Sequence, residues 1–163
     1  MPIELLIVKI IQEYTAYQKR RRKEDDILVK KRIIDELTSL RSMIQQFSQE
    51  TNFAEATLFK EGKSIVNRID EFIQEIEYSL SGHSYSFFSP QSSVGMMQLK
   101  KIMKFDLSLL KGSIDLITRF ERFQSDYAEA KQDMLFATLR PINQALTDLK
   151  TTFRSRDNLI KKI

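Results

Sequence analysis

Residues 27–47 read ILVKKRIIDELTSLRSMIQQF and carry the clearest signal of the fold class. Its apolar residues recur at alternating spacings of four and three, so they form a narrow stripe along one face of a helix. Residues 3–17 repeat these spacings, and the later segments keep them with few interruptions. The sequence therefore predicts an all-α protein. The stripe in residues 27–47 consists of Ile33, Leu37, Leu40, Ile44 and Phe47.

Breakers of the helical pattern divide the chain into segments. Asn52 with Glu55 three residues later resembles a helix start, and Pro141 marks a boundary because it cannot donate a backbone hydrogen bond. The serine-rich, uncharged residues 81–95 form the clearest loop. We expect residues 1–163 to form a single domain, an elongated antiparallel bundle of four long helices with coiled-coil-like contacts. The predicted helices cover about residues 3–49, 53–80, 96–139 and 141–160.

The continuity of the first helix is open. Residues 19–26 read KRRRKEDD and contain no residue that demands a turn, which favours one long helix. A break near Glu24 would give five helices instead. A continuous first helix would span about 70 Å and its neighbour only about 40 Å. The unmatched length predicts a homo-oligomer, most simply a dimer.

Composition excludes several classes of protein. The 163 residues include no cysteine and one histidine, so disulfide scaffolds, thiolate metal sites and multi-histidine metal sites are excluded. No apolar run reaches the roughly 18 residues of a membrane-spanning helix, and no secretory signal is recognisable. We therefore expect a cytoplasmic protein.

Motifs for catalysis and metal binding fail on inspection. The Gly-Lys-Ser at residues 62–64 lacks the earlier glycine and the preceding strand of a phosphate-binding P-loop. His83 lies alone in the loop. Asp126, Glu129 and Asp133 share a helix face, but this spacing is also typical of an ordinary acidic surface. The sequence predicts no enzyme, no metal, no cofactor and no small-molecule substrate.

The leading functional hypothesis is a non-enzymatic interaction or scaffold protein that acts through helix–helix contacts. The N-terminal helix is apolar around most of its circumference, which is typical of a buried helix or a dimer seam. The loop at 81–95 carries three aromatic residues, which either plug the end of the bundle, the favoured interpretation, or anchor a partner. The predicted partner-binding residues are Ile3, Leu6, Ile7, Ile10, Tyr85, Phe87 and Phe88.

The alternative hypothesis is binding of a polyanion, either nucleic acid or an anionic membrane. The formal net charge is +4, but residues 19–32 carry eight basic and three acidic residues, and residues 150–163 form a second basic segment. Such patches attract phosphates, although a solvated helix face is the simpler explanation. The predicted polyanion-binding residues are Lys19, Arg20, Arg21, Arg22, Lys23, Lys30, Lys31 and Arg32.

Overall fold

A computed structural model of the chain describes residues 1–50, 56–130 and 139–163. These residues form five α-helices, and no β-strand occurs among them. The all-α prediction is therefore confirmed. The helices are α1 (Ile3–Ile10), α2 (Arg22–Glu50), α3 (Ala56–Ser79), α4 (Met96–Ala130) and α5 (Arg140–Lys162).

The long helices α2 to α5 pack as a bundle in which successive helices run in opposite directions. Arg156, near the end of α5, contacts Asp26 near the start of α2 and Asp106 in the first third of α4. Lys30 of α2 contacts the carbonyl oxygen of Ser79 at the end of α3. One end of the bundle therefore contains the starts of α2 and α4, the ends of α3 and α5, and the connection from α3 to α4. We name it the loop end.

The core lies between the four long helices. Helix α4 packs chiefly on α5, α2 packs on both α3 and α4, and the short α1 packs on α4. The predicted stripe of residues 27–47 faces this core, and all its members are buried. A Cβ atom at Gly112 would lie 2.8 Å from Leu149 Cδ1, so this glycine lets α4 and α5 approach closely.

The prediction of one continuous helix over residues 3–49 is wrong. The chain leaves the helical conformation after Ile10 and resumes it at Arg22, which is the five-helix alternative. Between these helices, Ala16 and Tyr17 have φ angles of 56° and 62°, in the left-handed region that is costly for residues with a Cβ atom. Because the first helix is short, the length argument for a homo-oligomer loses its premise. The dimer itself stays a prediction.

Contacts distant in sequence stabilise this break. The Asp25 carboxylate accepts hydrogen bonds from the Thr15 backbone N–H at 3.0 Å, the Thr15 hydroxyl at 2.6 Å and the Tyr17 N–H at 2.7 Å. The hydroxyls of Tyr14 and Tyr17 both donate to Asp106 of α4. These contacts outweigh the intrinsic helix propensity of the Lys, Arg and Glu residues that follow.

The other predicted boundaries agree with the structure where it can be compared. Helix α3 ends within one residue of the prediction, and the predicted start at residue 53 lies outside the described residues. The last part of the predicted helix 96–139 also lies outside them, except Leu139, which is not helical. Helix α5 starts at Arg140, so Pro141 stands in its first turn, where a missing N–H costs nothing.

The connection from α3 to α4 folds back onto the bundle. Its only helical piece among the described residues is a 3₁₀ turn, Ser86–Phe88. Phe87 is completely buried, and its ring centroid lies 5.3 Å from that of Tyr17. Phe87 thus plugs the loop end, as the favoured interpretation of the aromatic loop expects.

Candidate functional site

The loop end encloses a cluster of charged side chains that are withdrawn from solvent. Arg156 of α5 is completely buried, and its Nε donates to Asp106 Oδ1 at 2.6 Å. Its Nη2 lies 2.7 Å from Asp26 Oδ1 and donates to the Tyr17 hydroxyl at 2.8 Å. One arginine therefore connects α5 to α2, to α4 and to the segment that precedes α2.

Asp26 is the second junction of this cluster. Its Oδ2 lies 2.8 Å from Lys30 Nζ and 2.8 Å from His83 Nε2. Lys30 also donates to the carbonyl oxygen of Ser79, the last residue of α3. Asp26 therefore connects α2 to the α3–α4 connection through His83, and Lys30 connects α2 to α3.

The two aspartates that contact Arg156, Asp26 and Asp106, have opposite pKa shifts. Burial acts to raise the pKa of Asp26, but Arg156, the hydrogen bond from His83 and the charge of Lys30 together hold that pKa well below its usual range. At Asp106 burial is the dominant influence and raises the pKa, although Arg156 acts against it. Of these two carboxylates, Asp26 is therefore the one that the fold stabilises in its charged form.

Two tyrosines complete the cluster. Burial raises the pKa of Tyr14 and of Tyr17, so both hydroxyls keep their protons. Both donate to Asp106 Oδ2, the Tyr14 hydroxyl at 3.1 Å. Asp106 and Arg156 have no exposed surface that a substrate could reach. The cluster therefore fixes the relative positions of the helices, and its hydrogen bonds are internal.

The fold divides the predicted polyanion-binding residues into structural and exposed members. Arg22 is buried, and its Nη1 donates to the carbonyl oxygens of Phe87 and Ser92 at 3.1 Å each. Lys30 is buried in the charge cluster, and Arg32 is half-buried and paired with a glutamate of its own helix. Arg22 and Lys30 are therefore structural, which corrects their assignment as binding residues. The exposed members are Lys19, Arg20, Arg21, Lys23 and Lys31.

Exposed basic residues from three parts of the chain lie at the loop end. The first turns of α4 and the last turn of α5 add exposed lysines to those at the start of α2. Exposed carboxylates at this end include Glu13, Glu24 and Glu77, so basic side chains are in excess. We name this set the basic surface; it consists of Lys19, Arg20, Arg21, Lys23, Lys31, Lys100, Lys101, Lys104, Lys161 and Lys162.

The predicted partner-binding residues of the N-terminus are largely covered by the chain itself. Ile7 is completely buried, and Ile3, Leu6 and Ile10 are half-buried. Leu5 retains 50% of its surface. Ile7 is therefore unavailable to a partner. Of the apolar residues of α1, Leu5 and Leu6 lie on its outer face.

The predicted residues of the aromatic loop are also separated by the fold. Phe87 is completely buried, so it is not a surface anchor. Phe88 is half-buried, with its ring centroid 4.7 Å from that of His83. Tyr85 keeps 38% of its surface, and Lys161 Nζ lies 6.0 Å from the centre of its ring.

A cavity of about 450 Å³ opens between the ends of α3 and α5. Lys30 and Lys161 line it together with Glu75 and Asp157, so positive and negative groups are balanced around it. Burial raises the pKa of Asp157. Because the positive and negative side chains around this cavity balance each other, we assign no charged ligand to it.

Carboxylate clusters give no metal site in the part of the chain that the structure describes. There, no group of three or more histidine, aspartate and glutamate side chains is close enough to hold a metal ion. Asp133, from the acidic face considered in the sequence, lies outside the described residues. His83 contacts the Asp26 carboxylate instead.

The sequence contained one signal for the buried cluster. Asp106 interrupts an otherwise apolar helical stripe, and a buried carboxylate requires a cationic partner. Nothing in the pattern identified Arg156 as that partner, because the two residues are 50 positions apart.

Comparison with known proteins gives no match: no protein-family model, no curated protein and no solved structure is significantly similar to this chain. None of the described helices combines the length and the apolar character needed to cross a bilayer.

Proposed function

We propose that this protein is a non-enzymatic binding protein whose basic surface takes up a phosphate-bearing polyanion. The observation that carries the proposal is the convergence of exposed basic residues from α2, α4 and α5 at one end of the bundle. Some of these residues are separated by most of the length of the chain, so their location at one end of the bundle is a property of the fold. A concentration of like charge creates a field that attracts polyanions and releases their counterions on binding.

The distribution of ion pairs supports this proposal. Elsewhere on the surface, some basic side chains are paired with carboxylates, such as Arg41 with Asp70 and Arg119 with Asp115, and others, such as Lys111, have no ion pair among the described residues. No residue of the basic surface forms an ion pair with any residue that the structure describes. Its charges are therefore available to an external partner.

The test is a titration of labelled duplex DNA, single-stranded DNA, RNA and anionic vesicles at low and near-physiological salt. Three double charge reversals, one just before α2, one on α4 and one on α5, change Arg20 and Arg21, Lys100 and Lys101, or Lys161 and Lys162 to glutamate. Each should weaken the same interaction by at least about tenfold, since each removes several phosphate contacts. Lys60→Glu with Lys63→Glu, at the opposite end, is the matched control and should change affinity less than about twofold.

Two results would overturn the proposal. One is the absence of binding to any of these polyanions even at low salt. The other is an equal loss of affinity in the control variant, which would show that only overall charge matters.

One observation favours an anionic membrane among the polyanions. Met96 and Met97 begin α4 with 64% and 76% of their surfaces exposed, and Met97 shares a helix face with Lys100, Lys101 and Lys104. Exposed apolar residues beside lysines suit a lipid headgroup region. Met96→Ser with Met97→Ser should weaken binding to anionic vesicles and leave binding to oligonucleotides unchanged.

The second candidate is association with a helical protein or a second copy of the chain. Leu5, half-exposed on the outer face of α1, favours it. Light scattering coupled to gel filtration tests it directly: a dimer that Leu5→Lys dissociates would support this candidate. The cytoplasmic location stays a prediction from the sequence.

A further inference from the structure

A second cavity at the loop end differs from the first in its charge. It has a volume of about 500 Å³ and lies between the first turns of α2 and the residues that follow α3. Lys23 and Lys31 line one side, and Ser81, His83 and Ser84 line the other. None of the described residues that line it is acidic. We name this cavity the lysine cleft.

We infer that the lysine cleft binds a phosphate group, and this inference rests on the proposed function because the phosphate belongs to the polyanion. Lys23 and Lys31 are eight residues apart on α2, so their Cα atoms are about 12 Å apart on one face of the helix. Two lysine side chains that converge over this distance can contact one phosphate from both sides. Lysine ammonium groups are common phosphate ligands, as point charges with three donors each.

The surroundings of the two lysines support this assignment. Neither forms an ion pair with a described residue, and both are exposed. On the opposite wall, the Ser84 hydroxyl can donate a hydrogen bond to a phosphate oxygen. His83 is already oriented, because its Nε2 contacts Asp26, so the ring is held in place before any ligand arrives.

The negative charge nearest in the sequence does not oppose a phosphate. Glu24 follows Lys23 but points elsewhere around the helix, since adjacent residues are 100° apart. The Asp26 carboxylate behind His83 is compensated by Lys30 and Arg156. The cleft thus presents positive charge to solvent, in contrast to the cavity between α3 and α5.

The closing experiment compares two double variants of equal charge. Lys23→Gln with Lys31→Gln removes both ammonium groups of the cleft. Lys100→Gln with Lys104→Gln removes the same charge from the basic surface outside the cleft. Inorganic phosphate is titrated into the full-length protein at constant ionic strength, with chloride as the reference anion, and backbone amide NMR shifts report binding.

We expect saturable binding of inorganic phosphate, with shifts at Lys31 and Ser84. The cleft variant should lower the affinity by at least about tenfold, and the control should change it less than about twofold. An absence of saturable binding, or equal losses in the two variants, would overturn the inference.

The same variants are then tested on vesicles with phosphatidic acid and on an oligonucleotide, which identifies the source of the phosphate. A larger loss for the cleft variant on one of these partners would support the inference for that source. If the wild type binds a polyanion and both variants lose affinity equally, the inference fails and the proposed function stands. If inorganic phosphate binds in the cleft and no polyanion binds, the site stands and the proposed function fails.

Discussion

Arg156 Nε and Asp106 Oδ1 are 2.6 Å apart, and neither side chain has any exposed surface. This contact links α5 to α4 across the core, and the same guanidinium contacts Asp26 of α2. Taking three charges out of water is expensive, so each depends on the others for compensation. The loop end is therefore stabilised by mutual neutralisation as well as by apolar packing.

Replacement of the central arginine should strongly destabilise the fold. In Arg156→Met, the Asp26 and Asp106 carboxylates would stay buried without their principal counter-charge. We expect the free energy of unfolding to fall by about 3–5 kcal/mol, measured by urea denaturation. Arg154→Met is the matched control, because Arg154 pairs with Glu75 on the surface and should contribute at most about 1 kcal/mol. Equal losses in the two variants would contradict the role assigned to Arg156.

The charge of Asp26 should make stability depend on pH in the acid range. Its pKa is lower in the folded protein than the ordinary value of 3.8, so its stabilising effect is complete above about pH 5 and is lost progressively as the pH falls further. The difference in free energy of unfolding between wild type and Asp26→Asn should therefore shrink between about pH 5 and pH 2. Asp106, whose pKa is raised in the folded protein, is present in both the wild type and Asp26→Asn, so it is common to the two proteins that are compared.

The control for this experiment is Asp35→Asn, a change at an exposed carboxylate of the same helix. The difference in free energy of unfolding between Asp35→Asn and wild type should stay small and constant over the same pH range. A constant difference for Asp26→Asn as well would show that the folded protein does not stabilise the charged form of Asp26.

Arg21 and Arg22, which are neighbours in the basic segment 19–32, should behave in opposite ways. Arg22→Ala removes hydrogen bonds to the carbonyl oxygens of Phe87 and Ser92, which should cost roughly 2–3 kcal/mol and expose the connection from α3 to α4 to limited proteolysis. Arg21→Ala changes an exposed side chain, so it should leave stability within about 0.5 kcal/mol and reduce polyanion binding. If Arg21→Ala also made the connection sensitive to protease, the structural role would not be specific to Arg22.

The Asp25 carboxylate should control the attachment of the N-terminal segment. Asn at this position has one acceptor oxygen where the carboxylate has two, so Asp25→Asn loses bonds to Thr15 or Tyr17. Ala16 and Tyr17, whose backbones are in the left-handed conformation, then lose part of the hydrogen bonding that keeps them in it. We expect faster amide hydrogen exchange in α1 than in wild type, with α3 unchanged. Acceleration throughout the bundle would show instead that the whole fold was weakened.

Local sequence patterns determined much of this protein. The spacing of Ile33, Leu37, Leu40 and Ile44 predicted both the helix and the face that it buries, because helical periodicity is a property of neighbouring residues. The loop after α3 and the boundary at Pro141 were recognisable for the same reason, since breakers act within one turn. The absence of cysteine and of histidine clusters was a matter of composition.

The tertiary structure alone decided the break between α1 and α2 and the composition of the loop end. The Lys, Arg and Glu residues around the start of α2 have good helix propensity, and the chain turns before them because Asp25 and Asp106 accept hydrogen bonds from Thr15, Tyr14 and Tyr17. The meeting of Arg156 with Asp26, and of the basic residues of α2 with those of α4 and α5, joins positions far apart in the chain. Such pairings depend on how helices are arranged in space, and helical periodicity contains no information about that arrangement.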